Sequence, residues 1–300
     1  MNRRAFLHVL AGGAAGCLLP IEDLVPTILP KAVNITLAVV KSPDPASAVR
    51  KAVDLIGGIG SFVSRNDVVF VKPNISWDRI PKQAATTNPI VVETVIRMAF
   101  EAGAKKVIVA DNCCNDARRT YVRSGIRSAA EKAGAKVLFT EKRKFVKMQI
   151  AGEVLGKWEI YREAIEADKI INIPIAKHHG LSGVTLSMKN MMGLIGGKRN
   201  LLHQKLPESI VDLTGFFKPA LHILDAVRVL KAHGPQGGSL KDVEKLDTVA
   251  ASTDPVKIDA FGITLFGKNP TDFPHIKIGE ERGLGKSDFR DEGFKEINLG

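Results

Sequence analysis

Three hundred residues with 45% hydrophobic content and a mean hydropathy of +0.03 fit one large α/β domain with a sizeable core. Three cysteines, Cys17, Cys113 and Cys114, exclude a disulfide framework, and without a C-x-x-C pair the chain carries no iron–sulfur motif. The net charge of +11 attracts anions, but no arginine-rich helix, aromatic-interleaved basic strand or zinc-finger spacing accompanies it, so nucleic acid is not an expected partner.

Residues 1–30 read as an address. Arg3 and Arg4 precede Phe6-Leu7, and the apolar run from Val9 to Leu19 is too short to span a bilayer comfortably. The pattern predicts a twin-arginine signal peptide, handled by the twin-arginine export machinery, and hence a periplasmic location or one otherwise outside the cytoplasmic membrane. Ala14-Ala15-Gly16-Cys17 also resembles a lipoprotein cleavage box, with alanine where leucine is usual; a lipid at Cys17 would then anchor a soluble protein, and both outcomes stay open. Arg3 and Arg4 cancel Glu22 and Asp23, so the basicity belongs to the remaining domain, residues 31–300.

From residue 31 onward, short β-branched runs alternate with helical stretches, which predicts a mostly parallel open sheet with helices on both faces. Strands are expected near residues 35–41, 68–72, 107–111, 137–140, 170–174 and 248–251. Asn88-Pro89 is an N-cap followed by proline at the first helical position, and Gly103 is the expected stop. Asp44-Pro45 and Asp254-Pro255 open helices in the same way. The polar stretch 141–158 reads as a small hairpin insertion in a single domain.

In open α/β sheets ligands lie beyond the carboxyl ends of the strands, so polar residues there are the candidates for binding. Four such edges stand out: Lys72-Pro73-Asn74 with the loop to Thr86-Thr87, Asp111-Asn112, Lys177-His178-His179, and the surroundings of His222 and Asp225. A lysine ending a buried strand is costly unless it meets an anion or a carboxylate. Thr86 and Thr87 precede a helix N-terminus, where they either bind an anion or only cap the helix. Asp111 serves a ligand or a neighbouring loop amide. Residues 185–193 are spaced as a helix, which places Thr185 and Lys189 on one face at i and i+4, with Asn190 beside them. His179 and Lys189 are the candidate catalytic groups, His179 as acid or base; Asp259 is the acid of the last helix that could face the site.

Other patterns are weaker. Gly196-Gly197-Lys198-Arg199 is not a P-loop, since the first glycine and the Lys-Ser/Thr ending are missing, but it could form a basic lid. His203, His222, Asp225 and His233 show no recognised metal-ligand spacing with His179. Cys113-Cys114 reads either as inert thiols or as a redox pair.

Taken in order, Val71-Lys72-Pro73-Asn74, Thr86-Thr87-Asn88-Pro89, Gly103-Ala104 before Asp111, Lys177 with His179, Val184-Thr185-Leu186 with Lys189-Asn190 and Gly193, Asp225, Gly234-Pro235 with Gly238, and Ser252-Thr253-Asp254-Pro255 with Asp259 resemble domain of unknown function family 362. The resemblance spans nearly all of residues 31–300 and implies a fold and a shared polar site without a settled activity. Many relatives carry a cysteine-rich ferredoxin module; this chain has none, so an iron–sulfur role is not inherited. The expected function is binding of a small phosphate or carboxylate compound by Lys72, Asn74, Thr86, Thr87, Asp111, Lys177, Asn190, Asp225 and Asp259. The alternative is a periplasmic metal- or cofactor-binding accessory or redox protein of unknown cofactor.

Overall fold

The computed structural model describes residues 34–300; the twin-arginine segment and Cys17 lie outside the described residues. The main sheet has ten strands. Eight follow one path in the order β12 (Phe294–Asn298), β1 (Leu37–Lys41), β11 (Val243–Ser252), β10 (Leu221–Leu230), β7 (Lys169–Ile173), β2 (Val68–Pro73), β3 (Lys106–Val109) and β4 (Lys136–Val137). Every pairing on this path is parallel except those of β11 with β1 and β10. The fold is therefore the mostly parallel α/β sheet that the alternating pattern implied.

Strand periodicity sorts the core into two layers. In β1, Ala38 and Val40 face one side and Leu37 and Val39 the other; in β2, Val69 and Val71 face the first side and Phe70 the second. On the first side pack α1 (Pro45–Leu55), α2 (Pro89–Glu101) and α4 (Ile126–Lys132), which follows α3 (Ala117–Arg123). On the second side lie α6 (Ser187–Asn190), α7 (Leu206–Phe217), α8 (Pro255–Thr264) and α9 (Pro274–Glu281). Burying each large apolar side chain in these layers contributes about 1.5–3 kcal/mol. Asp44, Asn88 and Asp254 cap α1, α2 and α8 by accepting first-turn N–H groups, each with proline inside the helix start. Residues Phe145–Gln149 (β5) and Lys157–Tyr161 (β6) form a separate antiparallel hairpin, joined to β7 by the short α5 (Arg162–Ile165).

Three local expectations are corrected. Lys177 and His179 belong to a strand, β8 (Ile175–His179), rather than to a loop after β7, because the chain continues extended beyond Pro174. Proline cannot donate to the ladder, so it divides one extended run into two strands. β10 is long enough to pair with both parts, β7 through Leu221 and His222 and β8 from Asp225 onward. His222 and Asp225 thus lie inside a strand, not beyond one. Thr185 lies in β9 (Gly183–Thr185), antiparallel to β8, so its meeting with Lys189 comes from tertiary folding rather than helical spacing.

Candidate functional site

A polar row crosses the second face of the sheet. Lys72 in β2, Asn172 in β7 and His222 in β10 are register neighbours, and each replaces the hydrophobe that strand periodicity would place there. The short helix α6 closes over this row. Asn190 donates to Asn172 Oδ1 at 2.8 Å and to Lys72 O at 3.1 Å, while Ser187 Oγ meets His222 Nδ1 at 2.5 Å. Asn172 Nδ2 completes the lattice with bonds of 3.0 Å to Ser187 O and Oγ. Asp259 holds α6 by accepting Ser187 N at 2.6 Å and Met188 N at 3.0 Å.

Lys72 is fully buried and has a counter-ion. Its Nζ stands 2.8 Å from Asp111 Oδ1, donates to Pro73 O at 2.7 Å and to Asn190 Oδ1 at 3.2 Å. Burial pulls the ammonium pKa down and the Asp111 carboxylate pushes back. The other Asp111 oxygen accepts Ile75 N at 2.6 Å, tying the loop after β2 to the end of β3. Only glycine fits at residue 193: a Cβ there would come 2.7 Å from Lys72 Nζ and 2.6 Å from Cε.

Lys177 is equally buried, but among the described residues no carboxylate forms an ion pair with it. Its Nζ donates to Asn74 Oδ1 at 3.0 Å and to Ala85 O at 2.6 Å, and Asn74 in turn donates to Asn190 Oδ1 at 3.0 Å. Burial first, then the Lys189 ammonium, brings the Lys177 pKa down to about 7.

These groups open on a cavity of about 610 Å³ at the carboxyl edge of the sheet. Its polar wall includes Asn74, Asp111, Lys177, His179, Lys189 and Asn190. Trp77, Leu181, Met192 and Pro235 supply apolar surface, and Cys114 also reaches the wall. Among the described residues the one hydrogen-bond partner of Lys189 Nζ is the Met192 thioether, at 3.8 Å, and burial pulls its pKa down to about 8. Arg199 lines the same space; its guanidinium is held by carbonyls, Asn112 O at 2.7 Å, Cys113 O at 3.2 Å and Met192 O at 3.3 Å. Thr185 Oγ1 is buried in the wall without a hydrogen-bond partner. Among the described residues that line the cavity, Asp111 is the only carboxylate, and Lys72 and Ile75 already engage it.

His179 does not suit the acid–base role expected of it. Its Nδ1 accepts Leu181 N at 3.1 Å and Ser182 N at 3.3 Å, which fixes the remaining proton on Nε2. Burial, then Lys189 and Lys177, pushes the ring pKa down to about 3, so the neutral ring faces the cavity as a hydrogen-bond donor. It stacks on His203 with ring centroids 6.2 Å apart.

Of the remaining expected ligand residues, Lys72 lies behind the wall beside Gly193. Thr86 is buried away from the cavity, and Thr87 bridges Asn74 N and Ile173 O at 2.8 Å each. Asp225 occupies the start of α2: it accepts Asn88 N at 2.6 Å and Val227 N at 3.1 Å, so an internal carboxylate fills the place foreseen for a ligand. Asp259 also stays outside the wall, where it fixes α6. Asn172, Ser187 and Trp77 were not foreseen. A lone polar residue interrupting an apolar parallel strand was the available signal for Asn172. Among the described residues no three His, Cys, Asp or Glu side chains are grouped to hold a metal ion.

The fold and site define an α/β protein with a cationic cavity at the carboxyl edge of its sheet. The family described as domain of unknown function (DUF362) matches residues 69–264, and the chain belongs to it. The chain is 25% identical over 246 residues to the thylakoid-associated protein sll1697 of Synechocystis sp., covering 79% of this chain and 75% of that protein. Among solved structures it is similar to the lactate racemase apoprotein from Thermoanaerobacterium thermosaccharolyticum, with a TM-score of 0.44 and 11% identity over 76% of this chain. A Thermotoga maritima protein is similar with a TM-score of 0.42 and 12% identity over 75% of this chain. The chain spans 56% and 58% of the lengths of those two structures.

Proposed function

We propose that this protein binds a small molecule carrying a carboxylate or phosphate group in the carboxyl-edge cavity. One observation carries the reading: Lys189 and Arg199 face the cavity with no carboxylate among the described residues paired to either, while the one acid in the described wall is committed elsewhere. Unpaired cations in a partly dry cleft gain most from an anion, whose charge offsets their desolvation. The buried, unpartnered Thr185 hydroxyl and the Nε2–H of His179 are further donors for such a ligand. The cavity is roomy enough for a compound well beyond a bare ion, and its apolar side would cover the uncharged part. Export through the twin-arginine route is part of this reading and rests on Arg3-Arg4 and the short apolar run.

The test is thermal. A ligand at about 100 times its Kd stabilises a protein by about 2.7 kcal/mol, which is several degrees of Tm at this size. Phosphate or a dicarboxylate is expected to raise the Tm more than chloride at equal ionic strength, and Lys189→Ala to remove most of that rise without unfolding the protein. An anion effect that survives loss of Lys189 overturns the reading.

A further inference from the structure

Lys177 is a second kind of lysine in the same cavity. Its amine donates to two neutral acceptors, Asn74 Oδ1 and Ala85 O, and among the described residues no carboxylate forms an ion pair with it to hold a third proton. A neutral amine has two N–H bonds and one lone pair. With both N–H groups engaged, the lone pair is left for the cavity that Lys177 lines. The neighbouring cation Lys189, from α6, opposes protonation, as does Lys72 from β2; Asp111 and Cys114 are the groups on the other walls that favour it. Desolvation beside a second cation is the arrangement that turns a lysine into a nucleophile.

We propose that Lys177 is a covalent catalytic residue that condenses with the carbonyl carbon of an anionic aldehyde or ketone bound in this cavity. The inference rests on the anion reading above and narrows the ligand to compounds in which a carbonyl accompanies the carboxylate or phosphate. Nζ attacks the carbonyl carbon, the π pair moves to oxygen, and one proton passes from nitrogen to that oxygen. The resulting carbinolamine takes a proton from solvent and loses its hydroxyl as water, leaving an iminium with one N–H. That N–H keeps a hydrogen bond to one of the two acceptors. No oxidant or reductant takes part. Lys189 and Arg199 hold the anionic group and so orient the carbonyl.

At pH 7 an amine whose pKa is about 7 is half neutral, a fraction roughly a thousandfold above that of an exposed lysine. The full chain is incubated at pH 7 with glyoxylate and sodium cyanoborohydride, which reduces the iminium to a stable secondary amine located by peptide mass mapping. Labelling at Lys177 is expected to exceed that at exposed Lys51 or Lys147 by roughly a hundredfold, the excess being reduced by its lower basicity. Acetaldehyde, which lacks the charge, is expected to label Lys177 about tenfold less, the loss of one charge-assisted contact. Propionate, which lacks the carbonyl, is expected to protect it, and Lys177→Met to remove the adduct. Labelling spread over exposed lysines, or none at Lys177 in the native chain, overturns the inference. If phosphate and propionate still raise the Tm in that case, the anion reading stands; if they do not, both fall.

Discussion

Lys72 and Lys177 are both fully buried, and they are linked through the same two asparagines, yet the protein treats them differently. Lys72 ends β2 against the Asp111 carboxylate at 2.8 Å, closed off by Gly193. Lys177 sits two residues past the Pro174–Ile175 junction and meets only uncharged oxygens. The asparagines pass hydrogen bonds from one lysine to the other without supplying charge. One lysine therefore belongs to the framework as half of an ion pair, and the other keeps an unsatisfied electrostatic demand in a cavity. The same residue type, at the same depth, is structural or functional according to whether a carboxylate accompanies it.

The largest effect should come from breaking the paired side. Asp111→Ala leaves a buried ammonium uncompensated and takes the acceptor from Ile75 N, and an expected loss of about 3–5 kcal/mol follows. Urea denaturation with an unchanged m-value measures it. Lys177→Met should cost much less, because it removes an unpaired charge while stranding two neutral acceptors, about 1–3 kcal/mol before that relief. Equal losses in the two variants would erase the distinction drawn between the lysines.

A smaller and more selective test is pH. The Lys177 and Lys189 pKa values are lowered to about 7 and about 8 from an ordinary 10.5. Above pH 7 the unfolded chain therefore binds more protons than the folded one, and stability should rise with pH toward 10.5, by up to about 1.4 kcal/mol per pH unit per proton. The cost of the buried charges is fully present below pH 7. Anion affinity should move the opposite way and fall as pH rises through 8, since Lys189 loses its charge. Lys177→Met should remove the part of the stability slope that begins near pH 7 and leave the later part. On the acid side, burial holds His222 near 3, so its contribution to stability should fall as pH drops from 6.5 toward 3, while burial raises Asp225 to about 6 and Asp259 to about 7, and these carboxyls contribute with the opposite sign. A stability curve flat from pH 7 to 9, below the range in which the raised Cys113 thiol contributes with the opposite sign, would show that Lys177 stays protonated and paired by some other means.

The paired and unpaired lysines were not equally legible in the sequence. Strand runs such as Val-Val-Phe-Val before Lys72 are continuous and rich in β-branched residues, and they alternate with helical stretches along the chain, so the parallel sheet and its carboxyl edge followed from pattern. β8 was hidden because Lys177, His178 and His179 are polar, and a polar run after proline reads as a loop. Its two partners, the long β10, whose register no local rule provides, and the short antiparallel β9, keep that segment extended. Asp225 and Asp259 were expected among the ligand-binding groups, and neither lines the cavity. Whether a carboxylate meets a ligand or the N–H groups of a helix start depends on tertiary geometry, and here α2 and α6 claim them. Arg199 was read as part of a basic lid; of the three carbonyls that bring it into the wall, those of Asn112 and Cys113 are distant in sequence and that of Met192 lies seven residues earlier.

The smallest expected effect concerns the adjacent thiols, which extend the same contrast between framework and cavity. Cys113 turns inward, where its Sγ lies 3.1 Å from Thr120 Oγ1 and 3.6 Å from Asp111 O; burial, then Asp111, pushes its pKa up. Cys114 is exposed and reaches the cavity wall. Iodoacetamide should therefore modify Cys114 well before Cys113, because Cys114 is the more exposed of the two and Cys113 is held in its thiol form. Cys114→Ser is expected to change stability by no more than about 0.5 kcal/mol, the range of an exposed substitution, and to leave the anion-induced rise in Tm in place. Phosphate at a concentration that saturates the Tm effect should slow alkylation of Cys114 without altering that of Cys113, since only the former shares a wall with Lys189. Peptide mapping of the two neighbouring sulfurs reads both rates in one experiment. Equal protection of the two thiols would place the anion elsewhere, and a loss of fold in Cys114→Ser would make that thiol part of the framework with Lys72 and Asp111.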